Sequence, residues 1–152
     1  NNIKMVESAA GQDTLFFQEL LMKANKLKVV DLNIHVYYAA VENSVTNTVT
    51  SKFYEKYYKV EKERIKFLQR NNLFETYIEK KFQFYFVSWY LKKLTNLKKG
   101  HEEQSIKILK KIYDMYAPYL KDEKVVLKQF KKYYDKEDYE GFVKYCRSYF
   151  NC

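Results

Sequence analysis

The sequence predicts a mainly α-helical chain: a short α/β segment of two strands and a helix, followed by a multi-helix bundle. Three glycines and one proline among 152 residues leave little material for the tight turns that a many-stranded sandwich or barrel needs. Hydrophobic residues make up 47% and aromatic residues 18%, enough to bury a core, which excludes wholesale disorder. The apolar period also changes along the chain, from alternation before Thr50 to helical spacing after it.

Ile3 to Ser8 reads as a short strand or its exit, and Ala9-Ala10-Gly11-Gln12-Asp13 as a loop of small residues. Asp13 stands just before an apolar-periodic run and is a candidate N-cap. The helix after it puts Phe16, Leu20, Ala24 and Leu27 on one stripe, with Phe17 and Leu21 beside it. Val30, Leu32, Ile34, Val36, Tyr38 and Ala40 then alternate with Asp31, Asn33, His35, Tyr37 and Ala39, the pattern of a strand with one buried face. Glu42 to Thr48 is a polar loop.

From Ser51 the spacing is helical. Tyr54, Tyr57, Tyr58, Ile65 and Leu68 mark one face of a helix that ends near Asn71-Asn72. A second helix runs from about Leu73 to Leu97, with Phe74, Tyr77, Ile78, Phe82, Tyr85 and Trp89 among its apolar positions, and reads as the centre of the bundle. Gly100 fits a left-handed C-cap. A third helix carries Ile106, Leu109, Ile112, Tyr113 and Tyr116 as far as Pro118, and a fourth carries Val126, Leu127, Phe130 and Tyr134. Asp135 is placed to cap a fifth, with Tyr139, Phe142, Val143, Cys146 and Phe150 on its stripe.

The chain holds 28 Lys+Arg against 19 Asp+Glu, a formal charge of +9. Its only arginines are Arg64, Arg70 and Arg147. Proteins that read nucleic acid lean on arginine for bidentate contacts, so nucleic acid is disfavoured as a partner. The lysines alternate with acids, as in Glu61-Lys62-Glu63-Arg64, which fits solvated helix faces; attraction to anionic lipid or to a phosphate-bearing substrate is the functional alternative. Cys146 and Cys152 lie too close together to staple much of a fold, and no spacing suggests zinc, so a reducing, cytoplasmic compartment is the simplest expectation. The greasiest stretch, Phe82 to Leu91, contains Gln83 and Ser88 and is too short to span a bilayer. No signal peptide is recognisable, and the chain opens Asn1-Asn2-Ile3 without methionine, the expectation for a processed or excised piece.

One cluster carries chemistry. The run Glu7-Ser8-Ala9-Ala10-Gly11-Gln12-Asp13-Thr14-Leu15-Phe16-Phe17-Gln18-Glu19-Leu20-Leu21 resembles the region around the Glu-Asp motif of family 2 glycosyltransferases with the GT-A fold. In that family a small-residue loop delivers an acidic pair, and a helix then begins with an apolar doublet. Ile34-His35-Val36-Tyr37-Tyr38 is similar to the family's later Tyr-rich strand, and Asn43-Ser44-Val45-Thr46 to the stretch just after it. Phe53 to Tyr57, Arg64-Ile65 and Trp89-Tyr90-Leu91 look like the helical extension of bacterial capsule and adhesin-modifying members. The resemblance covers residues 3 to about 97.

The resemblance implies that residues 1–50 are the C-terminal end of a GT-A-like catalytic domain and that residues 51–152 are a helical extension. It implies inverting transfer of a sugar from a nucleotide-sugar donor to an acceptor hydroxyl, in bacterial surface glycan or glycoprotein synthesis. Asp13 would be the general base, with Gln12, His35 and Tyr37 binding substrate. The implied partners are an N-terminal catalytic region, the sugar acceptor, and an anionic membrane surface or a second copy. The parent enzyme would use the nucleotide sugar and a divalent cation, neither held by this piece, and would work in the cytoplasm or at the inner face of the membrane.

The chain departs from the family pattern at three points. Gln12 replaces the usual Glu, Ala39 and Ala40 stand where the family has an Arg, and the six aspartates include no D-x-D pair. Without the donor-binding half the piece is expected to be inactive alone. A plain N-cap remains open for Asp13, and a surface or interface role for His35 and Tyr37. The alternative for the whole chain is a non-enzymatic basic helical module that binds an acidic protein, anionic lipid or nucleic acid. A self-contained hydrolase fails for want of a Ser/His/Asp or metal-ligand set.

Overall fold

The computed structural model describes residues 3–32 and 49–150, and among them the chain is a set of six helices. They are α1 (Gln12–Lys23), α2 (Ser51–Arg70), α3 (residues 74–93), α4 (Glu102–Asp114), α5 (Val125–Asp135) and α6 (Tyr139–Phe150). Short 3₁₀ turns follow α3 and α4 at Leu94–Asn96 and Ala117–Tyr119.

Each helix follows from its apolar stripe. α2 buries Phe53, Tyr54, Tyr57, Val60, Phe67 and Leu68 and lies along α4, which buries Ile106, Leu109, Ile112 and Tyr113. α5 adds Val126, Leu127 and Phe130, and α6 adds Phe142, Val143 and Cys146.

The central helix α3 has an unusual cause. Its buried row is Ile78, Phe82, Phe86, Tyr90 and, in the turn after it, Leu94, all at spacing four. At 3.6 residues per turn such a row drifts around an α-helix. Two π-helical stretches, Ile78–Phe82 and Phe86–Leu91, widen the turn and reverse the drift, so the row stays on one side. Tyr85 and Trp89, expected on the inner stripe, are therefore only half-buried.

The helix ends are secured by side chains. Asn71 Nδ2 donates to the Phe67 carbonyl at 2.8 Å, and the chain turns at Asn72 with φ of 55°. Arg147 donates to the Thr95 and Leu97 carbonyls, both at 3.2 Å, and so holds the end of α3 against α6.

Several expectations are corrected. The helical expectation holds, but among the described residues neither expected strand of the front segment is present. Ile3 to Ser8 is irregular, with Ser8 at φ 53°. Val30 to Leu32 is irregular and exposed, and the remainder of the expected strand, including His35 and Tyr37, lies outside the described residues. Among the described residues there is no sheet, only an isolated parallel bridge between Val49 and Leu97. A strand needs a partner to satisfy its backbone, and these residues find none.

Asp13 is not the N-cap of α1. Gly11 takes that position at φ 69°, and Asp13 falls in the first turn, where the positive end of the helix dipole favours a carboxylate. Gly100 does adopt a left-handed φ of 85°, but it stands in the loop before α4, where its N–H donates to Glu102 Oε2 at 2.7 Å. Asp138, not Asp135, caps α6, accepting from the Gly141 N–H at 2.9 Å.

Candidate functional site

The loop leading into α1 is fixed by close approach to the bundle. A Cβ on Gly11 would stand 2.8 Å from Tyr57 Cε1, so the loop backbone lies against the tyrosine ring. Only glycine fits there, for reasons of both space and backbone angle. Burial pushes the Tyr57 phenol up to about 12, with Tyr85 and Asp13 adding negative charge nearby.

The loop then delivers Gln12 half-buried and Asp13 exposed. Asp13 Oδ1 accepts from the Thr14 N–H at 2.9 Å, which leaves Oδ2 facing solvent at the helix start. Of the expected site residues, the structure thus places Asp13 and Gln12 side by side.

α1 is anchored on one face only. Leu15 is buried against Val60, Phe67 and Leu68, and Glu19 pairs with Arg70 at the end of α2. The opposite face carries Phe17, Leu20 and Leu21 in the open, with Phe17 at 59% exposure, and Met22, about two turns on from Leu15, is exposed as well. The segment after α1 continues the exposure through Leu27, Val29 and Leu32. Apolar patches of this kind on one side of a helix mark surfaces that another body covers.

A second constellation was not anticipated from the sequence. Glu61 and Arg64 lie inside the bundle, joined at 2.7 Å. Tyr90 Oη donates to Glu61 Oε1 at 2.6 Å, and Tyr116 Oη to Oε2 at 2.5 Å. The Arg64 guanidinium lies 5.0 Å from the Tyr85 ring centroid. Burial would lower the arginine, but Glu61 and the surrounding tyrosines outweigh it and hold it well above its ordinary value. Burial and the Glu61 carboxylate likewise push the Tyr90 and Tyr116 phenols far up.

Both Glu61 oxygens therefore carry hydrogen bonds from the core, and solvent does not reach the group. The arrangement fixes how α2, α3 and the turn after α4 meet; it is not an open acid–base site. A signal for it exists in the sequence. Glu61 stands four residues after Tyr57 and seven before Leu68, so a charge sits on an apolar stripe.

Two further surface depressions lie on the bundle. A cleft of about 580 Å³ is lined by Phe74, Glu75, Ile78, Glu79, Tyr119 and Asp122, with the Phe74 and Tyr119 rings edge to face at 4.9 Å. Gln83 clamps its rim, donating to the Asp122 carbonyl at 2.6 Å and accepting from the Lys124 N–H at 2.9 Å. A wider trough of about 740 Å³ runs between α2 and α4 and is walled by Lys59, Lys62, Lys107 and Lys111.

Among the described residues no three His, Cys, Asp or Glu side chains converge to hold a metal ion, and no helix is long and apolar enough to cross a membrane. No family model, curated protein or solved structure matches the chain.

Proposed function

We propose that the chain is the acceptor-side end and helical extension of an inverting glycosyltransferase, which moves a sugar from a nucleotide-sugar donor to an acceptor hydroxyl. One observation carries the reading. A glycine-pinned loop presents the exposed Asp13 carboxylate at the start of α1, and the outer face of α1 is apolar and uncovered. The resemblance of residues 7–21 to the transferase acidic motif supplies the chemistry.

Asp13 would take the proton from the acceptor hydroxyl as its oxygen attacks the anomeric carbon. The bond from that carbon to the nucleotide phosphate breaks, and configuration inverts. Gln12, half-buried beside it, keeps a neutral side chain at the place of a second carboxylate and adds no charge. The donor is held by an α/β region that covers the Phe17–Leu21 face of α1. The divalent cation of such a reaction would be held there too, and no step here is routed through it.

The test is nucleotide release from a panel of nucleotide sugars by the polypeptide of the complete reading frame. Asp13→Asn is expected to lower turnover by about 10²- to 10⁴-fold, the usual contribution of a positioned base. Turnover within a factor of two of the parent would remove Asp13 from the role.

A further inference from the structure

The trough between α2 and α4 is walled by lysines on both sides. Lys59 and Lys62 form one wall and Lys107 and Lys111 the other, all four exposed. Half-buried Tyr58 and buried Ile108 line its floor. Two carboxylates also face it, and each is already engaged. Gln104 Nε2 donates to Glu55 Oε1 at 2.8 Å, and Lys107 Nζ to Glu103 Oε1 at 2.6 Å. Among the described residues neither Lys59 nor Lys111 forms an ion pair. The trough thus faces solvent with surplus positive charge on both sides.

We infer that this trough binds a strand of anionic glycan, a sugar chain bearing phosphate or carboxylate groups. Its concave shape admits a linear polyanion between the lysine walls, whereas a flat bilayer would meet only the rims. Lysine ammoniums are mobile point charges suited to scattered anionic groups. The three arginines serve elsewhere: Arg64 in the core, Arg70 on Glu19, and Arg147 on the carbonyls after α3.

Nucleic acid fits less well. Single strands bind by stacking bases on open aromatic faces, and the only ring in the trough, Tyr58, is covered by Lys62 Nζ at 4.7 Å from its centroid. Glu55 and Glu103 repel the charges of any polyanion, but each keeps a second carboxylate oxygen that can accept from the hydroxyls a glycan carries and an acidic peptide lacks. The choice of a sugar backbone also rests on the proposed transfer, but binding is read without turnover, so the two can fail separately.

The experiment uses the chain itself, with fluorescent oligogalacturonate as the probe. Neutral dextran, oligo-dT, oligo-glutamate and phosphatidylglycerol vesicles are the comparisons, all at one ionic strength. Oligogalacturonate is expected to bind best, to weaken as salt rises, and to weaken about tenfold in Lys59→Glu/Lys111→Glu. Lys132→Glu/Lys144→Glu, exposed lysines outside the trough, should leave it within twofold. Circular dichroism checks that both variants keep their helices.

Equal weakening in the two double variants would overturn the site. Tighter binding of oligo-dT, oligo-glutamate or vesicles, lost in the trough variant, would replace the glycan with that partner. Equal binding of dextran would remove the charge argument.

Discussion

Among the described residues, large apolar side chains are mostly buried behind Thr50 and mostly exposed ahead of it. In the bundle Tyr54, Phe82, Phe86, Tyr90, Tyr113, Tyr116, Phe130 and Phe142 are all but fully buried, ring on ring, with Phe82 and Tyr116 stacked at 4.3 Å. In α1 and the segment after it Phe17, Leu21, Met22, Leu27 and Leu32 are in the open, and Leu15 is the buried anchor of the helix. Composition does not separate the two regions, since both are rich in large apolar residues. What separates them is partnership. The bundle helices cover one another, and the described residues offer α1 only α2 and its neighbours. The bundle helices bury their apolar faces in one another, and α1 leaves an apolar face exposed.

The largest expected effect breaks the bundle at its one charged point. Glu61→Ala strips Arg64 of its carboxylate and leaves Tyr90 and Tyr116 without acceptors. Removing one partner of a buried pair costs about 3–5 kcal/mol, and urea unfolding followed by circular dichroism should show it. Glu61→Leu with Arg64→Met should recover the part of that loss owed to the unpaired guanidinium, and not the part owed to the Tyr90 and Tyr116 hydroxyls, which still lack acceptors. A Glu61→Ala loss below about 1 kcal/mol, the worth of an exposed pair, would mean that the network does not hold the helices together.

A middle-sized effect tests the joint between the regions. Gly11→Ala puts a Cβ against the Tyr57 ring and forces a left-handed angle on a residue that resists it. The cost should be about 1–2 kcal/mol. It should also be local: amide exchange in α1 speeds up while α4 and α6 keep their protection. Equal loosening throughout would show that α1 folds as part of the bundle and not as an addition to it.

The sequence was legible where one rule governed. The stripes of α2, α4, α5 and α6 repeat every three or four residues, and each became a helix with that face inside. It misled where a partner decides the outcome. Ile3 to Ser8 carries no strong helical stripe, yet without a neighbouring strand it does not become a strand. The N-cap assigned to Asp13 was two residues late because the Tyr57 ring, far off in sequence, selects Gly11. The period-four row in α3 was present in the sequence, but its meaning, a helix widened at two places, follows only once the row is known to stay buried. At the candidate site, Asp13 and Gln12 stand together because they are neighbours in the sequence. The Glu61 network and the lysine trough were not legible in it, because their members come from different helices.

The smallest expected effect makes the comparison sharpest. Phe17→Ser with Leu21→Ser replaces two large apolar groups by polar ones, a change that inside the bundle would cost several kcal/mol. On α1 both side chains stand in solvent, so little contact is lost and serine is only modestly poorer in a helix. Each site should shift stability by no more than about 0.5 kcal/mol. The double variant should bind less of an apolar dye and be more soluble, since it dilutes an exposed patch. A loss of 2 kcal/mol or more would show that this face is already covered within the chain, and the proposal that an α/β region docks on it would fall.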